Sequence, residues 1–233
     1  MPETITIEHR FCGPPNSGHG GYVAGRLAVM IGGDAEVTLR QPVPLGRGLE
    51  VVRGAEAIAV RDGEALIAEA RPRSPRLELP RPVGFETASR AAAAEAYVNN
   101  AFSRCFACGP ARPPGDGLRI VVGDVGAGIL AAPWVPEADL AGAKGRIDPV
   151  YLWAALDCPS GFAVSGKVGV PILLGRMTAH ASEELEPGSR TVIMAWPLGN
   201  DGRKRFAASA LFDEAGRCLG RAECVWFRPR AAF

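Results

Sequence analysis

Two stretches of this 233-residue chain resemble each other, and a fold with two similar halves accommodates both. Residues 11–14 are Phe-Cys-Gly-Pro and residues 107–110 are Ala-Cys-Gly-Pro, and each tetrapeptide precedes an apolar helical segment and a run of predicted strands. The turn at residues 43–47 resembles the one at 185–189 in the same way. Self-similarity of this order indicates two copies of one supersecondary unit. We therefore predict two short antiparallel sheets that each cover one helix and join edge to edge.

The first predicted unit comprises residues 1–71. Alternating apolar residues predict a strand at 4–11, and a glycine-rich loop separates it from an apolar helix at 22–31. A meander follows, with the strong hairpin signal Asp62-Gly63 between its last two strands.

The rest of the chain is predicted to be a linker and a second unit. Residues 72–100 form the linker, because prolines interleave with charges before a helical stretch at 85–97. The second unit, residues 101–233, contains a helix between an added strand pair and a four-stranded meander. The predicted strands are 117–122 and 128–132 for the pair, and 176–183, 191–197, 203–212 and 218–227 for the meander.

The helix of the second unit carries an anomalous charge. Asp148 is its predicted N-cap and Pro149 its first helical residue, and its body is apolar on nearly every face. Asp157 nevertheless lies in that body, and a carboxylate in apolar surroundings is costly unless it is paired, hydrogen-bonded or used. Either Asp157 is functional, or it turns the chain where Pro159 disturbs the helix.

Composition excludes several classes of partner. The chain is 47% hydrophobic with a net charge of +1, which argues against nucleic acid or an anionic membrane as a partner. No apolar run is long enough to span a bilayer, and the first residues lack the basic start and apolar core of a signal peptide. We therefore expect a cytoplasmic protein.

Six cysteines are too few for a disulfide scaffold in a chain of this size, so we expect thiols. Cys105 and Cys108 have the spacing of a zinc knuckle, but a zinc site needs two further ligands. There is no second such pair and the three histidines are scattered, so the sequence predicts no metal site.

Several of these residues resemble a known superfamily. His19-Gly20-Gly21 at a helix start is similar to the His-Gly-Gly signature of the phenylacetic-acid-pathway type of thioesterase. Residues 105–110 with 117–119, and residues 153–159, resemble uncharacterised members of the same superfamily. The resemblance implies an α+β fold of two tandem hot-dog units, each an antiparallel sheet curled around a buried central helix. The two units would join into one continuous double hot dog.

The resemblance also implies an activity, the hydrolysis of an acyl-CoA or acyl-carrier thioester, with coenzyme A as part of the substrate and no separate cofactor. In the family the catalytic acid follows the histidine by nine residues, but that position here is Ala28. The same spacing from Asp148 reaches Asp157, so each half lacks what the other has. One composite site per chain is therefore expected. The mirror-related site, with Ala28 and the Asp148-Pro149 turn, should be inactive.

Roles follow for the residues of the composite site. Gly20 and Gly21 would donate N–H groups to the oxyanion, and Asp157 would act as general base or as nucleophile. Asn16 or His19 would orient water or the carbonyl, and Ser160 would hold the carboxylate.

Other residues are candidates for binding substrate or for structural roles. Trp153 is either a pocket wall or a core residue. Arg203 and Lys204 either hold a CoA phosphate or end a solvated strand. Cys158 is interpreted as a small buried thiol rather than a nucleophile, since no histidine is near it in sequence.

Two other functions stay open. One is a hot dog that binds acyl-CoA or a similar ligand without catalysis. The other is a hydratase or dehydratase, which usually pairs an acid with a histidine that only His19 could supply here. Further association into a homo-oligomer is compatible with the resemblance.

Overall fold

The computed structural model describes residues 2–94, 102–165 and 171–228. The helices are α1 (Gly20–Ile31), α2 (Phe85–Ala94) and α3 (Pro149–Ser165). The strands are β1 (Thr4–Thr6), β2 (Ala35–Leu39), β3 (Gly48–Arg53), β4 (Ile58–Asp62), β5 (Ala65–Pro72), β6 (Gly123–Asp124), β7 (Leu130–Trp134), β8 (Leu173–Ala181), β9 (Thr191–Asp201), β10 (Lys204–Asp213) and β11 (Cys218–Phe227). None of the helices in these ranges is long and apolar enough to cross a membrane.

All the described strands belong to one antiparallel sheet with the order β1-β3-β4-β5-β2-β8-β11-β10-β9-β7-β6. The two halves have the same topology about the β2–β8 junction: a strand, a helix, a junction strand, and then a three-stranded meander that returns to the junction. In this scheme β7, α3 and β8 correspond to β1, α1 and β2. The predicted pair of similar units joined edge to edge is the arrangement observed.

Two glycines let α1 approach α3 closely. A Cβ on Gly21 would lie 2.5 Å from the Asp157 Cβ and 2.6 Å from the Trp153 carbonyl oxygen. A Cβ on Gly25 would lie 2.9 Å from the Val150 Cα. The contacts run in opposite directions along the two chains, so the helices are antiparallel. Because no side chain other than hydrogen fits at these positions, the first turn of α1 lies directly against the middle of α3.

Helix α3 is longer than the sequence indicated, because it continues through Pro159 to Ser165. Two hydroxyl groups bind carbonyls near the proline: Ser160 Oγ donates to the Asp157 carbonyl at 2.8 Å, and Ser209 Oγ donates to the Leu156 carbonyl at 2.6 Å. The idea that Asp157 turns the chain at the proline is therefore wrong, since Asp157 lies within a continuous helix.

Several predicted elements differ in detail. The strand expected at 4–11 ends at Thr6, and His9–Phe11 forms a 3-10 turn. Residues 117–122 are irregular, so the added strand pair reduces to β7 with the short β6. The predicted linker helix is observed as α2 up to Ala94, and its expected last residues, 95–97, lie outside the described residues. Helix α2 covers the second face of the sheet, where Ala88 packs with Ala131, Met194 and Phe212.

Candidate functional site

A cavity of about 740 Å³ lies where the first turn of α1 meets the side of α3. The loop before α1 and the segment 38–43 line it from the first half, while α3, β8 and the ends of β10 and β11 line it from the second half. Its volume is in the range of small-molecule binding sites. The cavity is therefore shared by both halves of the chain.

Asp157 reaches this cavity from α3 although only 2% of its surface is exposed. Its Oδ2 accepts the Gly21 N–H at 2.6 Å and lies 3.3 Å from His19 Nε2. Its buried Oδ1 has no hydrogen-bond partner among the described residues. Burial raises the pKa of Asp157 to about 6, against the lowering effect of His19 and of the Gly21 N–H. Such an underbonded buried carboxylate is typical of functional sites.

His19 is the N-cap of α1, and this role orients its ring. Nδ1 accepts the N–H of Tyr22 at 3.1 Å, so the ring proton of the neutral imidazole is on Nε2. Nε2 is 3.3 Å from Asp157 Oδ2 and also 3.3 Å from Cys158 Sγ. The helix cap thus directs one N–H donor at the carboxylate and the neighbouring thiol.

The two glycines of the His-Gly-Gly turn have different surroundings. The Gly21 N–H is bonded to Asp157, whereas the half-buried Gly20 lines the cavity and its N–H has no acceptor among the described residues. A Cβ on Gly20 would lie 3.3 Å from Asp157 Oδ2. Of the two predicted oxyanion donors, only Gly20 presents an unoccupied N–H beside the carboxylate, at the positive end of a helix.

Three thiols lie beside these groups. Cys105 Sγ is 3.5 Å from Cys158 Sγ, and Cys108 lines the same cavity. Hydrogen bonds from Cys108 and Cys158 lower the pKa of the Cys105 thiol well below its ordinary value. No sequence pattern predicts that Cys158 lies near Cys105 and Cys108, because 49 residues separate Cys108 from Cys158.

The loop that carries Cys105 and Cys108 is fixed by buried contacts. The Phe106 side chain is fully buried, and the Phe106 backbone N–H donates to the Cys12 carbonyl at 2.7 Å. Arg112 is 5% exposed and donates to the carbonyls of Arg104 and Arg10. The first of the two similar tetrapeptides therefore contacts Phe106, the residue just before the second, although the two occupy different places in their halves.

Asn16, Trp153 and Ser160 are predicted site residues that do not line the cavity. Asn16 is exposed in the loop before α1, with a positive φ of 60°, and is not part of the cavity wall. Trp153 is 2% exposed and packs against Gly21 and Gly25, so it is a core residue. Ser160 binds the backbone carbonyl of Asp157 and accepts the Trp226 Nε1–H at 3.0 Å, so it does not hold the carboxylate.

The two adjacent basic residues after β9, Arg203 and Lys204, differ in whether they line the cavity. Lys204 is exposed and lines the cavity, whereas the neighbouring Arg203 is exposed and does not. Arg40 and Arg176, which were not singled out from the sequence, line the cavity as well. The described part of the cavity wall therefore carries the cationic side chains of Arg40, Arg176 and Lys204.

The mirror-related position has no second carboxylate. Ala28 lies buried on α1 where the symmetry of the halves would place an acid, and Asp148 caps α3 by accepting the Val150 N–H at 3.0 Å. The composite arrangement of an acid from one half and a glycine turn from the other therefore occurs at one end of the helix pair.

Comparison with known proteins identifies the architecture. No protein-family model and no curated protein sequence matches the chain. Among solved structures, the tesB protein of Mycobacterium avium subspecies paratuberculosis superposes with a TM-score of 0.61 at 13% identity, over 97% of this chain and 92% of that one. A candidate thioesterase II of Thermobifida fusca gives a TM-score of 0.60 at 16% identity, over 98% and 93% of the two chains.

The chain has a double hot-dog fold. Both neighbours align over nearly their whole length, so the match includes both halves and the junction between them. The predicted double hot-dog fold is confirmed. At these identities the likeness concerns the fold, and the chemistry has to be argued from the site.

Proposed function

We propose that this double hot-dog protein hydrolyses an acyl thioester at the composite site between α1 and α3. The observation that carries the proposal is the position of the Asp157 carboxylate, buried in the cavity wall beside the Gly20 N–H. A thioester carbonyl that accepts the Gly20 N–H would place its carbon near Asp157. Oxyanion stabilisation and a base are the two requirements of acyl transfer to water.

Each neighbouring residue has a defined part in this proposal. The Gly21 N–H holds Asp157 Oδ2 and His19 Nε2 lies 3.3 Å from the same oxygen, which leaves Oδ1 for the reaction. Asp157 in this position suits both activation of water and direct attack on the carbonyl carbon. Hydrolysis in ¹⁸O-labelled water distinguishes the two, since only direct attack introduces the label into the Asp157 side chain.

An activated acyl group on a phosphate-bearing carrier is the substrate class that fits best. Lys204, Arg40 and Arg176 line the cavity, and such cations suit the phosphates of coenzyme A or of a phosphopantetheine arm. The apolar remainder of the wall, including Leu174 and Phe206, would contact the acyl chain.

The test is release of free thiol from a panel of acyl-CoA substrates by the wild type and by Asp157→Asn. The amide is isosteric and retains an oxygen for the Gly21 N–H, so the fold should be maintained. We expect kcat to fall by about 10²–10⁴-fold, as for loss of a general base or nucleophile. Asp148→Asn is the matched control, because asparagine is also a good N-cap and the residue lies at the opposite end of the helix pair.

Two results would contradict the proposal. Saturable acyl-CoA binding by the wild type without turnover would indicate a ligand-binding hot dog. Full activity of Asp157→Asn, or an equal loss in Asp148→Asn, would remove Asp157 from the chemistry.

One observation favours a second candidate. The His19–Asp157 pair, 3.3 Å apart, is the combination of histidine and acid that hydratases and dehydratases use. An enoyl-CoA in the same panel tests this reading, since hydration removes the conjugated absorbance without releasing thiol.

A further inference from the structure

Three thiols and an imidazole converge in the wall of the cavity. Among the described residues, the donor atoms of His19, Cys105 and Cys158 all lie within 4.8 Å of one another. Cys108 adds a third thiol, because it follows Cys105 by three residues and lines the same cavity. The thioester hydrolysis proposed above uses none of the thiols, so their convergence needs a separate explanation.

We propose that Cys105, Cys108 and Cys158 bind one thiophilic divalent metal ion of the zinc class. Two ligands come from the Cys-x-x-Cys spacing of a knuckle, and α3 supplies the third. The sequence had argued against a metal because no further ligand was near the knuckle. The fold supplies one from a distant segment.

The spacing of the sulfur atoms fits a metal better than a disulfide. A tetrahedral ion with metal–sulfur bonds of about 2.3 Å places neighbouring sulfurs roughly 3.8 Å apart. The observed separation of Cys105 and Cys158 is 3.5 Å, far from the ~2.05 Å of a sulfur–sulfur bond. All three cysteines line the cavity, so an ion can reach them.

Electrostatics favours the same assignment. Cys105 and Cys158, whose sulfur atoms are 3.5 Å apart in a buried place, cannot both be ionised without a cation, because like charges at this distance repel strongly. A divalent ion reverses this cost, since a coordinating thiol is deprotonated outright. On binding, each thiol gives up its proton to solvent and forms one metal–sulfur bond, and no redox change is involved.

His19 acts on this site through its N–H rather than as a ligand. Its Nδ1 accepts the Tyr22 N–H, so Nε2 carries the proton and faces Cys158 Sγ at 3.3 Å. Coordination by Nε2 would move that proton to Nδ1 and break the helix cap. We therefore assign His19 as a donor to the thiolates, with the fourth position of the metal open to the cavity.

The experiment is titration of the reduced, chelator-treated full chain with Co²⁺, followed by displacement with Zn²⁺. We expect one equivalent of Co²⁺ to give the sulfur-to-cobalt charge-transfer absorption of several thiolates, and Zn²⁺ to remove it. Cys105→Ser and Cys158→Ser should each weaken binding by more than about tenfold. Cys218→Ser is the matched control, because Cys218 lies at the start of β11 and outside this cluster.

Peptide mapping of alkylated wild type keeps the test independent of how the variants fold. Bound Zn²⁺ should protect Cys105, Cys108 and Cys158 from alkylation and leave Cys218 reactive. Absence of the cobalt spectrum in the reduced wild type, or binding unaffected by Cys105→Ser, would overturn the metal site. A metal-free chain with a disulfide between two of the three cysteines would overturn it as well. None of these readouts uses substrate, so they are separate from the thioesterase test.

Discussion

At the scale of single residues, Lys204 and Arg203 are adjacent cations with different surroundings. Lys204 lines the cavity and Arg203 does not. Lys204→Ala should therefore raise KM for an acyl-CoA by about 3–10-fold, as expected for loss of one partly solvated phosphate contact, with little change in kcat. KM for a truncated thioester without phosphates should stay unchanged. Arg203→Ala is the control, and an equal effect of both substitutions on KM would show that the contribution is only long-range charge.

The residues of the site were predicted unequally well from sequence. The resemblance to His-Gly-Gly thioesterases, with its nine-residue spacing, indicated Asp157 and Gly20, and the fold brings the two residues together in the cavity wall. The thiol cluster was missed, since it depends on a loop that returns to α3. The sequence left two roles for Trp153, pocket wall or core. It is a core residue, because its carbonyl oxygen packs against Gly21 and its Cβ against Gly25 between the helices.

At the scale of elements, the closeness of α1 to α3 positions the site. Gly21→Ala would place a Cβ 2.6 Å from the Trp153 carbonyl oxygen and 2.5 Å from the Asp157 Cβ, so the helices must separate. We expect a loss of about 1–3 kcal/mol in the free energy of unfolding, measured with urea. Gly142→Ala is the control, because its Cβ would meet nothing closer than 3.9 Å. Equal stability of both variants would mean that the helix contact is easily relaxed.

Most helices and strands were predicted correctly from the local pattern of apolar and turn residues in the sequence. The meander strands were predicted within a few residues, and the hairpin at Asp62-Gly63 has Gly63 at a positive φ of 59°. The strand predicted at residues 117–122 is not observed. Leu118, Ile120 and Val122 are buried there in an irregular segment without strand pairing. Pro159 did not end α3: the Ser160 hydroxyl within the helix binds the Asp157 carbonyl, and the Ser209 hydroxyl on β10, distant in sequence, binds the Leu156 carbonyl. Such long-range contacts are invisible to local pattern.

At the scale of the whole molecule, the internal repeat predicted the two halves but not the ion cluster at their junction. Strand β2 pairs with β8 there, and Glu36 stands opposite Thr178 on one side and Arg71 on the other. The Glu36 carboxylate accepts hydrogen bonds from Arg71 at 2.9 Å and from Arg73 at 2.5 Å. Its side chain is 6% exposed, and it joins the halves because Thr178 Oγ1 also donates to it, at 3.4 Å across the junction.

The junction should make stability depend on pH in the acid range. Burial alone would raise the pKa of Glu36, but the hydrogen bond from Arg71 and the charges of Arg176, Arg73 and Arg71 outweigh it and hold the pKa below the ordinary 4.5. A carboxyl whose pKa is lowered by folding stabilises the protein above its unfolded pKa, and this contribution is lost as the pH falls through the folded pKa. Glu36→Gln should therefore cost about 1–3 kcal/mol near neutral pH and progressively less below about pH 4.5. Urea unfolding of both chains across this range measures the difference, with Glu64→Gln at the exposed β4–β5 turn as the matched carboxylate control. A cost for Glu36→Gln that stays constant down to the acid transition would show that packing, rather than the charge on Glu36, holds the two halves together.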